Sequence, residues 1–512
     1  MEPEHREKRD GRRGSLAVSA ADVRTETARP MSPLSRRHRP WPAALVEERA
    51  RPERIRRSGG GWKLAVGTVC FGAFMGQLDA SIVTLTYGSL RTEFHATLAA
   101  VEWVSLAYLL TLVALLVPVG RLSDAHGRKL CYLYGFLVFT AASAACGLAT
   151  SLAALVGCRV AQAVGAAMLQ ANSVALVTTS APRGHLRAAL GVQAAAQALG
   201  LALGPTLGGV IVASLGWRWV FAINVPVGIA ALIAGQYLLP RTRGRSRATG
   251  LDPVGPVLLA TATTGFLLGL SALSGLGAPT GVTIALFAVA VAAGWGFVRR
   301  QRHAAHPLVD PAPLREPAVA TGLAGALGDY LVLFGPLVLV PLVLTDAGAS
   351  ELHAGLVLTA LPTGFALAAT CAERVLPARL SDRSRCALGA ATAVCALAAM
   401  LVLPLRAPAL VPLLLLLGLG LGTYTPANNA LIMRAFPARS AGTGGGLVNM
   451  VRGLGTALGI ALVTLTLHHS GTGGPRLTLA ALLGVALLVL AAARPPLRRA
   501  PSPGRPSRKA GR

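Results

Sequence analysis

Gly120-Arg121-Leu122-Ser123-Asp124-Ala125-His126-Gly127-Arg128-Lys129 is a polar stretch set between two apolar runs, each long enough to cross a bilayer. Its core returns downstream, where Arg379-Leu380-Ser381-Asp382 again follows directly on a hydrophobic span. Identical residues at the same place relative to a span read as an internal repeat. The rest of the chain is organised around the side of the membrane on which this stretch lies.

Composition requires a membrane. Of 512 residues, 53% are hydrophobic and only 13% are charged, and the mean hydropathy is +0.58. Too little polar surface remains to cover a water-soluble core. A net charge of +27 would point to nucleic acid if the basic residues were spread over a soluble fold. Here they gather in the tails and alternate loops, which is an orientation signal, so nucleic acid is not an expected partner. Cys70, Cys131, Cys146, Cys158, Cys371, Cys386 and Cys395 lie in or beside apolar spans without a C-x-x-C pair, and the expectation is buried thiols in packing, not disulfides or zinc.

From Trp62 onward, runs of apolar residues follow one another near 62–88, 98–119, 130–150, 152–179, 188–213, 217–239, 254–274, 280–298, 317–344, 352–373, 385–404, 408–433, 440–467 and 477–493. About 20 residues at 1.5 Å each cross about 30 Å of hydrocarbon, so fourteen transmembrane helices are predicted. The loops joining them on one side hold nineteen Lys and Arg, against four (Arg91, Arg218, Arg406 and Arg476) on the other. That asymmetry predicts both termini and the Gly120–Lys129 stretch on the cytoplasmic side. The repeated Arg-Leu-Ser-Asp after spans 2 and 10 implies two equivalent six-helix bundles, spans 1–6 and 9–14, with an extra pair at spans 7 and 8. The predicted divisions are a disordered basic tail at 1–60, a bundle at 61–240, a linker with the extra pair at 241–316, a second bundle at 317–495 and a basic tail at 496–512. No cleavable signal is expected, because the first tail has no apolar h-region.

Charges inside spans cost roughly 2.5–3.5 kcal/mol on insertion scales, so each asks for a partner or a task. Asp79 in span 1 and Arg159 in span 4 both sit about nine residues from the same end, about 12–14 Å deep. They read either as a static tie between two helices or as a carboxylate whose proton affinity is tuned by a neighbouring guanidinium. Asp329 in span 9 and Arg452 in span 13 share a depth in the second half, which permits a second pair without establishing it. Gln77, Tyr108, Gln162, Asn428 and Asn449 are further in-span polar candidates for contact with a substrate, or for bonds between helices. In span 5, Gly200, Gly204 and Gly208 recur at four-residue spacing, with Pro205 and Gly209 beside them. Such a face lets another helix approach to backbone contact, and the proline predicts a bend.

Several of these strings resemble signatures of the major facilitator superfamily. The pattern Gly-x-Leu-Ala-Asp-Arg-x-Gly-Arg-Arg/Lys between its second and third helices is matched at Gly120, Asp124, Gly127, Arg128 and Lys129, with Ser123 a mild substitution and Ala125 lacking the basic side chain. Gly200 to Gly209 resembles the Gly-x-x-x-Gly-Pro-x-x-Gly-Gly of the superfamily's antiporters. Arg159 to Ala166 resembles its span 4 motif, with Ala163 replacing a glycine. Trp217-Arg218-Trp219-Val-Phe221-Ala-Ile-Asn224-Val-Pro226-Val-Gly228 is similar to a run of the fourteen-helix drug:proton antiporter branch. The resemblance implies a proton-coupled exporter of small lipophilic, often cationic compounds, with no cofactor beyond the proton. It also implies that Asp124 and Arg128 latch the two halves in the outward-open state, and that Arg159 takes part in proton transfer. A monomer in the plasma membrane is expected.

Other readings are weaker. No lysine precedes Ser or Thr, so no phosphate-binding Gly-x4-Gly-Lys-Ser/Thr loop exists. A membrane-embedded transferase would call for clustered His, Asp or Glu at a membrane face, and the paired His468-His469 is the nearest approach to one. An uptake or metabolite transporter is opposed chiefly by the span 5 string.

Overall fold

The computed structural model describes Glu48 and residues 51–53, 60–242, 254–273, 279–304, 307–349, 351–470 and 474–493. The tails and most of the arginine-rich 241–250 segment, on which expectations of disorder and linker character fall, lie outside the described residues.

Among the described residues, fourteen long helices carry the fold. They are α1 (Gly61–Ile82), α2 (Leu98–His126), α3 (Arg128–Gly147), α4 (Leu152–Ser180), α5 (Leu186–Leu215), α6 (Arg218–Leu238), α7 (Val254–Leu273), α8 (Thr280–His303), α9 (Pro317–Asp346), α10 (His353–Val375), α11 (Asp382–Val402), α12 (Ala407–Ala435), α13 (Ala441–Ser470) and α14 (Gly474–Ala493). Thirteen are long and apolar enough to cross a membrane. The other, α5, is 30 residues long with Arg187 as its only charge, and completes the predicted fourteen. Among the described residues there is no strand. Bulky apolar side chains on the outside, such as Phe71, Val291 and Leu488, are more than half exposed, an exterior that only lipid can solvate.

Prolines and side-chain hydroxyls decide where helices break. Pro226 has no N–H for the carbonyl of Ala222, and α6 is interrupted at Ile223. Pro362 does the same to Leu358, and α10 is interrupted at Thr359. The run predicted at 62–88 is not one helix: α1 stops at Ile82, a 3₁₀ turn covers Val83–Thr86, and a short helix runs Tyr87–Glu93. There Thr86 Oγ1 donates to the Val83 carbonyl at 2.7 Å, a local bond that competes with the helical ladder. The Gly120–Lys129 stretch is mostly helix as well. Its first seven residues end α2, its last two begin α3, and Gly127 alone makes the turn at φ 117°, a backbone region where only glycine avoids strain.

Helix contacts repeat between the halves. In the first bundle α1 packs on α5, α2 on α4, and α3 on α4; in the second α9 packs on α13, α10 on α12, and α11 on α12. The predicted glycine face of α5 meets α1: a Cβ on Gly200 would lie 2.5 Å from the Phe74 carbonyl oxygen, one on Gly204 would overlap Ser81, and one on Gly208 would lie 2.7 Å from Ile82 Cγ1. Gly455 and Gly459 of α13 abut the carbonyls of Leu327 and Leu331 on α9 in the same way. Gly209 points elsewhere, with nothing within 4 Å of its would-be Cβ. Helix α5 continues through Pro205 without interruption.

The bundles meet along two seams, α2 with α13 and α5 with α10. At the end carrying the Gly120–Lys129 turn the backbones nearly touch. A Cβ on Gly120 would overlap the Gly442 carbonyl, and one on Gly191 would overlap that of Ala369. Helices α7 and α8 pack on each other, and α7 leans on α2 and α13.

The cysteines are all free, but Cys395 is exposed and only Cys131, Cys146 and Cys386 are buried, so the packing role applies to part of the set. Trp217 is 4% exposed. Its indole donates to Glu93 Oε2 at 2.6 Å while Arg218 pairs with Glu93 Oε1 at 2.7 Å. The bonds from Arg218 and then Trp217 hold the Glu93 carboxyl below its ordinary range.

The α1–α5 contact generates a paired test. Gly200→Ala should lower the thermal midpoint of the detergent-purified protein, because the α1 backbone must move. Gly209→Ala should leave it unchanged or raise it slightly, since alanine favours helix by about 1 kcal/mol. Equal midpoints for the two variants would contradict the packing.

Candidate functional site: a buried charge network and two clasps

Asp79 and Arg159, matched in the sequence by depth alone, are an ion pair. Arg159 Nη1 lies 2.6 Å from Asp79 Oδ2, and the two side chains are 1% and 0% exposed. Asp79 Oδ1 accepts from Gln162 Nε2 at 2.9 Å and from Asn224 Nδ2 at 3.0 Å. Each group facing the carboxylate is thus a donor, which suits its ionised form, since a protonated carboxyl would have to donate in turn.

The network is closed on the arginine side too. Arg159 Nε donates to the Val104 carbonyl at 3.1 Å, and Nη1 also reaches Gln162 Oε1 at 2.7 Å. Its guanidinium carbon sits 4.0 Å from the centre of the Tyr108 ring and 5.8 Å from that of Phe221, geometry for cation–π attraction. Gln162 Nε2 donates to Ser143 Oγ at 2.7 Å. Five helices, α1, α2, α3, α4 and α6, therefore converge on one charge pair. In hydrocarbon such a pair holds only if its remaining hydrogen-bonding groups are satisfied.

The other sequence candidates fall into different places. Asp329 and Arg452, both buried, form no ion pair. Asp329 Oδ2 accepts from Thr425 Oγ1 at 2.5 Å, and Oδ1 has no partner. Gln77 lines an apolar cleft between the bundles with Gln197, Tyr330 and Phe365. Tyr108 and Gln162, considered as cleft residues, belong instead to the Asp79 network. Asn428 Nδ2 donates to the Gly322 carbonyl at 2.8 Å, tying α12 to α9. Asn449 Nδ2 donates to the Gln170 carbonyl at 2.8 Å, from one bundle to the other.

Asp124 is the centre of a clasp between bundles. It accepts from Arg128 Nε at 2.9 Å and Nη2 at 2.7 Å. It also accepts from the backbone N–H of Gly442 and of Thr443 and from Thr443 Oγ1, each at 2.8 Å. Gly442 and Thr443 open α13, so a carboxylate of one bundle caps a helix N-terminus of the other, where unpaired amides and the helix dipole favour negative charge. Arg128 Nη2 reaches the Ala438 carbonyl as well. Lys129 Nζ donates to the Gln236 and Leu239 carbonyls at 2.8 and 2.9 Å, capping the C-terminus of α6.

The repeated motif builds a second clasp by other means. Asp382 begins α11, with Ser381 as its N-cap. Its Oδ1 accepts from Arg187 Nη1 at 2.8 Å and its Oδ2 pairs with Arg434 Nη1 at 3.0 Å. Arg187 Nε donates to Glu373 Oε1 at 2.7 Å. Arg187 lies at the start of α5, so this set closes the α5–α10 seam as Asp124 closes the α2–α13 seam. Sequence reasoning treated Arg187 as a topology marker only and left Ser143 and Glu373 out. The repeated Arg-Leu-Ser-Asp was the available signal for the second clasp, and the Asn-x-Pro spacing of Asn224 and Pro226 the signal for the fourth member of the Asp79 network.

Comparison with known proteins agrees with this architecture. The chain is 31% identical over 430 residues, 83% of its length and 76% of the relative's, to the tetracenomycin C resistance and export protein of Streptomyces glaucescens. It is 31% identical over 417 residues, 79% and 87% of the two lengths, to a methylenomycin A resistance protein of Bacillus subtilis. It is 29% identical over 404 residues, 77% and 85%, to the riboflavin transporter RibZ of Clostridioides difficile. Among solved structures, the human organic anion transporter MFSD10 (TETRAN) shares the fold with a TM-score of 0.64 at 17% identity, over 85% of this chain and 99% of that one. The family description "Major Facilitator Superfamily" matches residues 69–460 and 322–511. The chain with these twin bundles belongs to the Major Facilitator Superfamily and is a membrane transporter of that type.

Proposed function

We propose that this transporter is a proton-coupled antiporter that exports small amphipathic molecules, antibiotics among them, by alternating access of its two bundles. The observation that carries the reading is the Asp79–Arg159 pair, a fully buried carboxylate held by three donors at the junction of five helices. Protonation cancels the charge that Arg159, Gln162 and Asn224 face, and leaves a guanidinium in hydrocarbon without its counter-ion. The donors must then find other acceptors, and the helices that carry them must shift. One proton thereby selects between two arrangements, which is what coupling requires. Resistance relatives at about 30% identity support export over uptake, as does the α5 string from Gly200 to Gly209.

In this proposal the Gly120–Lys129 end is cytoplasmic, as the basic loops favour, and both termini lie there. The two clasps then hold the cytoplasmic side shut, with the cleft available from outside. The protein acts as a monomer in the plasma membrane and needs no cofactor. Asp329 is a second candidate carboxylate for proton or cation recognition.

Two tests follow the two halves of the proposal. In energised everted vesicles, Asp79→Asn should reduce gradient-driven transport across a panel of lipophilic antibiotics to the level of vesicles lacking the protein, while its membrane abundance stays at that of the wild type. Normal gradient-driven transport by this variant would rule out Asp79 as the coupling group. For the clasp, Asp124→Ala removes three bonds to α13 and strands a buried guanidinium, a loss on the order of 3–5 kcal/mol. Spin labels on the α2–α3 and α12–α13 connections should show the bundles separating at that end. An unchanged distance distribution would contradict the latch.

A further inference from the structure

Arg452 differs from Arg159, the buried arginine of the first bundle's charge network, in having donors to spare. Its side chain belongs to a residue only 3% exposed, yet Nε and Nη2 have no hydrogen-bond partner among the described residues. Nη1 reaches only Asn449 Oδ1, at 3.4 Å. Arg159 by contrast is bound to a carboxylate, an amide and a carbonyl. A buried guanidinium with no carboxylate bonded to it is costly, and is retained where something else supplies its acceptors.

Its position is on the seam between the bundles. Successive turns of α13 touch the opposite bundle: a Cβ on Gly445 would lie 2.6 Å from the Ala171 carbonyl oxygen, Asn449 donates to Gln170, and a Cβ on Gly453 would lie 2.9 Å from Val113 Cγ2. The Arg452 guanidinium carbon lies 4.9 Å from the centre of the Tyr330 ring. Tyr330 in turn lines the cleft between the bundles with Gln77, Gln197, Leu333 and Phe365. Among the described residues, no carboxylate lines that cleft. Asp329, in the neighbouring position on α9, faces a separate apolar pocket among α11, α12 and α14, lined by Ala390, Leu421 and Val489, and it is tied to Thr425.

We infer that Arg452 is an anion-recognition group for the transported molecule, whose class is an amphipathic organic acid carrying a carboxylate or an ionised phenol or enol. Arg452 donates to the anionic oxygens through Nε and Nη2, a planar fork suited to two acceptors. The Tyr330 ring and the apolar wall of Leu333 and Phe365 take the body of the molecule. This assignment rests on the cleft being the substrate path of a transporter. It departs from the cationic class that the sequence resemblance implies, because the charged group beside the cleft-lining Tyr330 is a guanidinium.

An isosteric probe series separates the possibilities: pyrenebutyric acid, its neutral amide, and pyrenebutylamine, titrated by fluorescence against the purified full-length protein. The wild type should bind the acid at least tenfold more tightly than the amide. Arg452→Gln should erase that preference by weakening the acid alone, Arg452→Lys should keep part of it, and Arg302→Gln, at an exposed arginine in the last turn of α8, should retain it. Equal affinity for acid and amide in the wild type, tighter binding of the amine, or failure of all three to bind would overturn the inference, whether or not any variant folds. Proton-driven flux in proteoliposomes keeps the two readings apart. Flux of the amine but not the acid would sink the anion site and leave the antiporter standing, whereas charge-selective binding without gradient-driven flux would sink the antiporter and leave the site.

Discussion

A carboxylate and a guanidinium in hydrocarbon have no water to turn to when they separate. The Asp79–Arg159 pair is stable because Gln162, Asn224 and the Val104 carbonyl complete its hydrogen bonds, and each of these groups comes from a helix that must be held at the right height and rotation. Much of the first bundle serves that need. The glycine face of α5 brings α1 to backbone contact, and the break at Ile223 brings Asn224 to the head of a new helical segment. A network so complete has few intermediate arrangements, because losing one bond leaves a buried polar group unsatisfied at a cost of about 1–3 kcal/mol. In the proposed mechanism, a change of charge at Asp79 would be expressed as movements of whole helices.

The seams between the bundles follow a different logic. Their backbones approach at Gly120, Gly191, Gly442, Gly445 and Gly446, where the absence of side chains leaves little to interlock. The two clasps add ionic and backbone bonds between the bundles at one end. Asp124 caps the amides of α13, and Asp382 with Glu373 holds Arg187 at the head of α5. Two smooth seams fastened by ionic bonds at one end suit rigid bodies that rock against each other, as parallel repeats in this superfamily do.

Much of this was legible in the sequence because a bilayer imposes simple rules. Apolar run length yields the helices, and depth along a helix brought Asp79 and Arg159 together. The same counting put Asp329 and Arg452 at one height, but height is not direction. Asp329 turns toward Thr425 on α12, whereas Arg452 turns toward Tyr330 and Asn449. Four-residue glycine spacing revealed a contact face on α5 without revealing that α1 fills it. Arg187 was hidden for another reason: a basic residue at a helix end already has an explanation as an orientation signal, and only the fold shows two carboxylates from the other bundle beside it. The Gly120–Lys129 stretch looked like a loop because its polar residues mask helix, and a single glycine with positive φ makes the whole reversal.

The central claim is that the protonation state of Asp79 sets which end of the cleft is closed. Its ionised form is the one satisfied in the arrangement closed at the Asp124 end, so acidification should depopulate that arrangement. Electron paramagnetic resonance distances across that end, recorded as a function of pH in lipid nanodiscs, test this most directly. The account predicts a shift toward longer distances on acidification in the wild type and no such shift in Asp79→Asn. An identical pH response in the variant would contradict it.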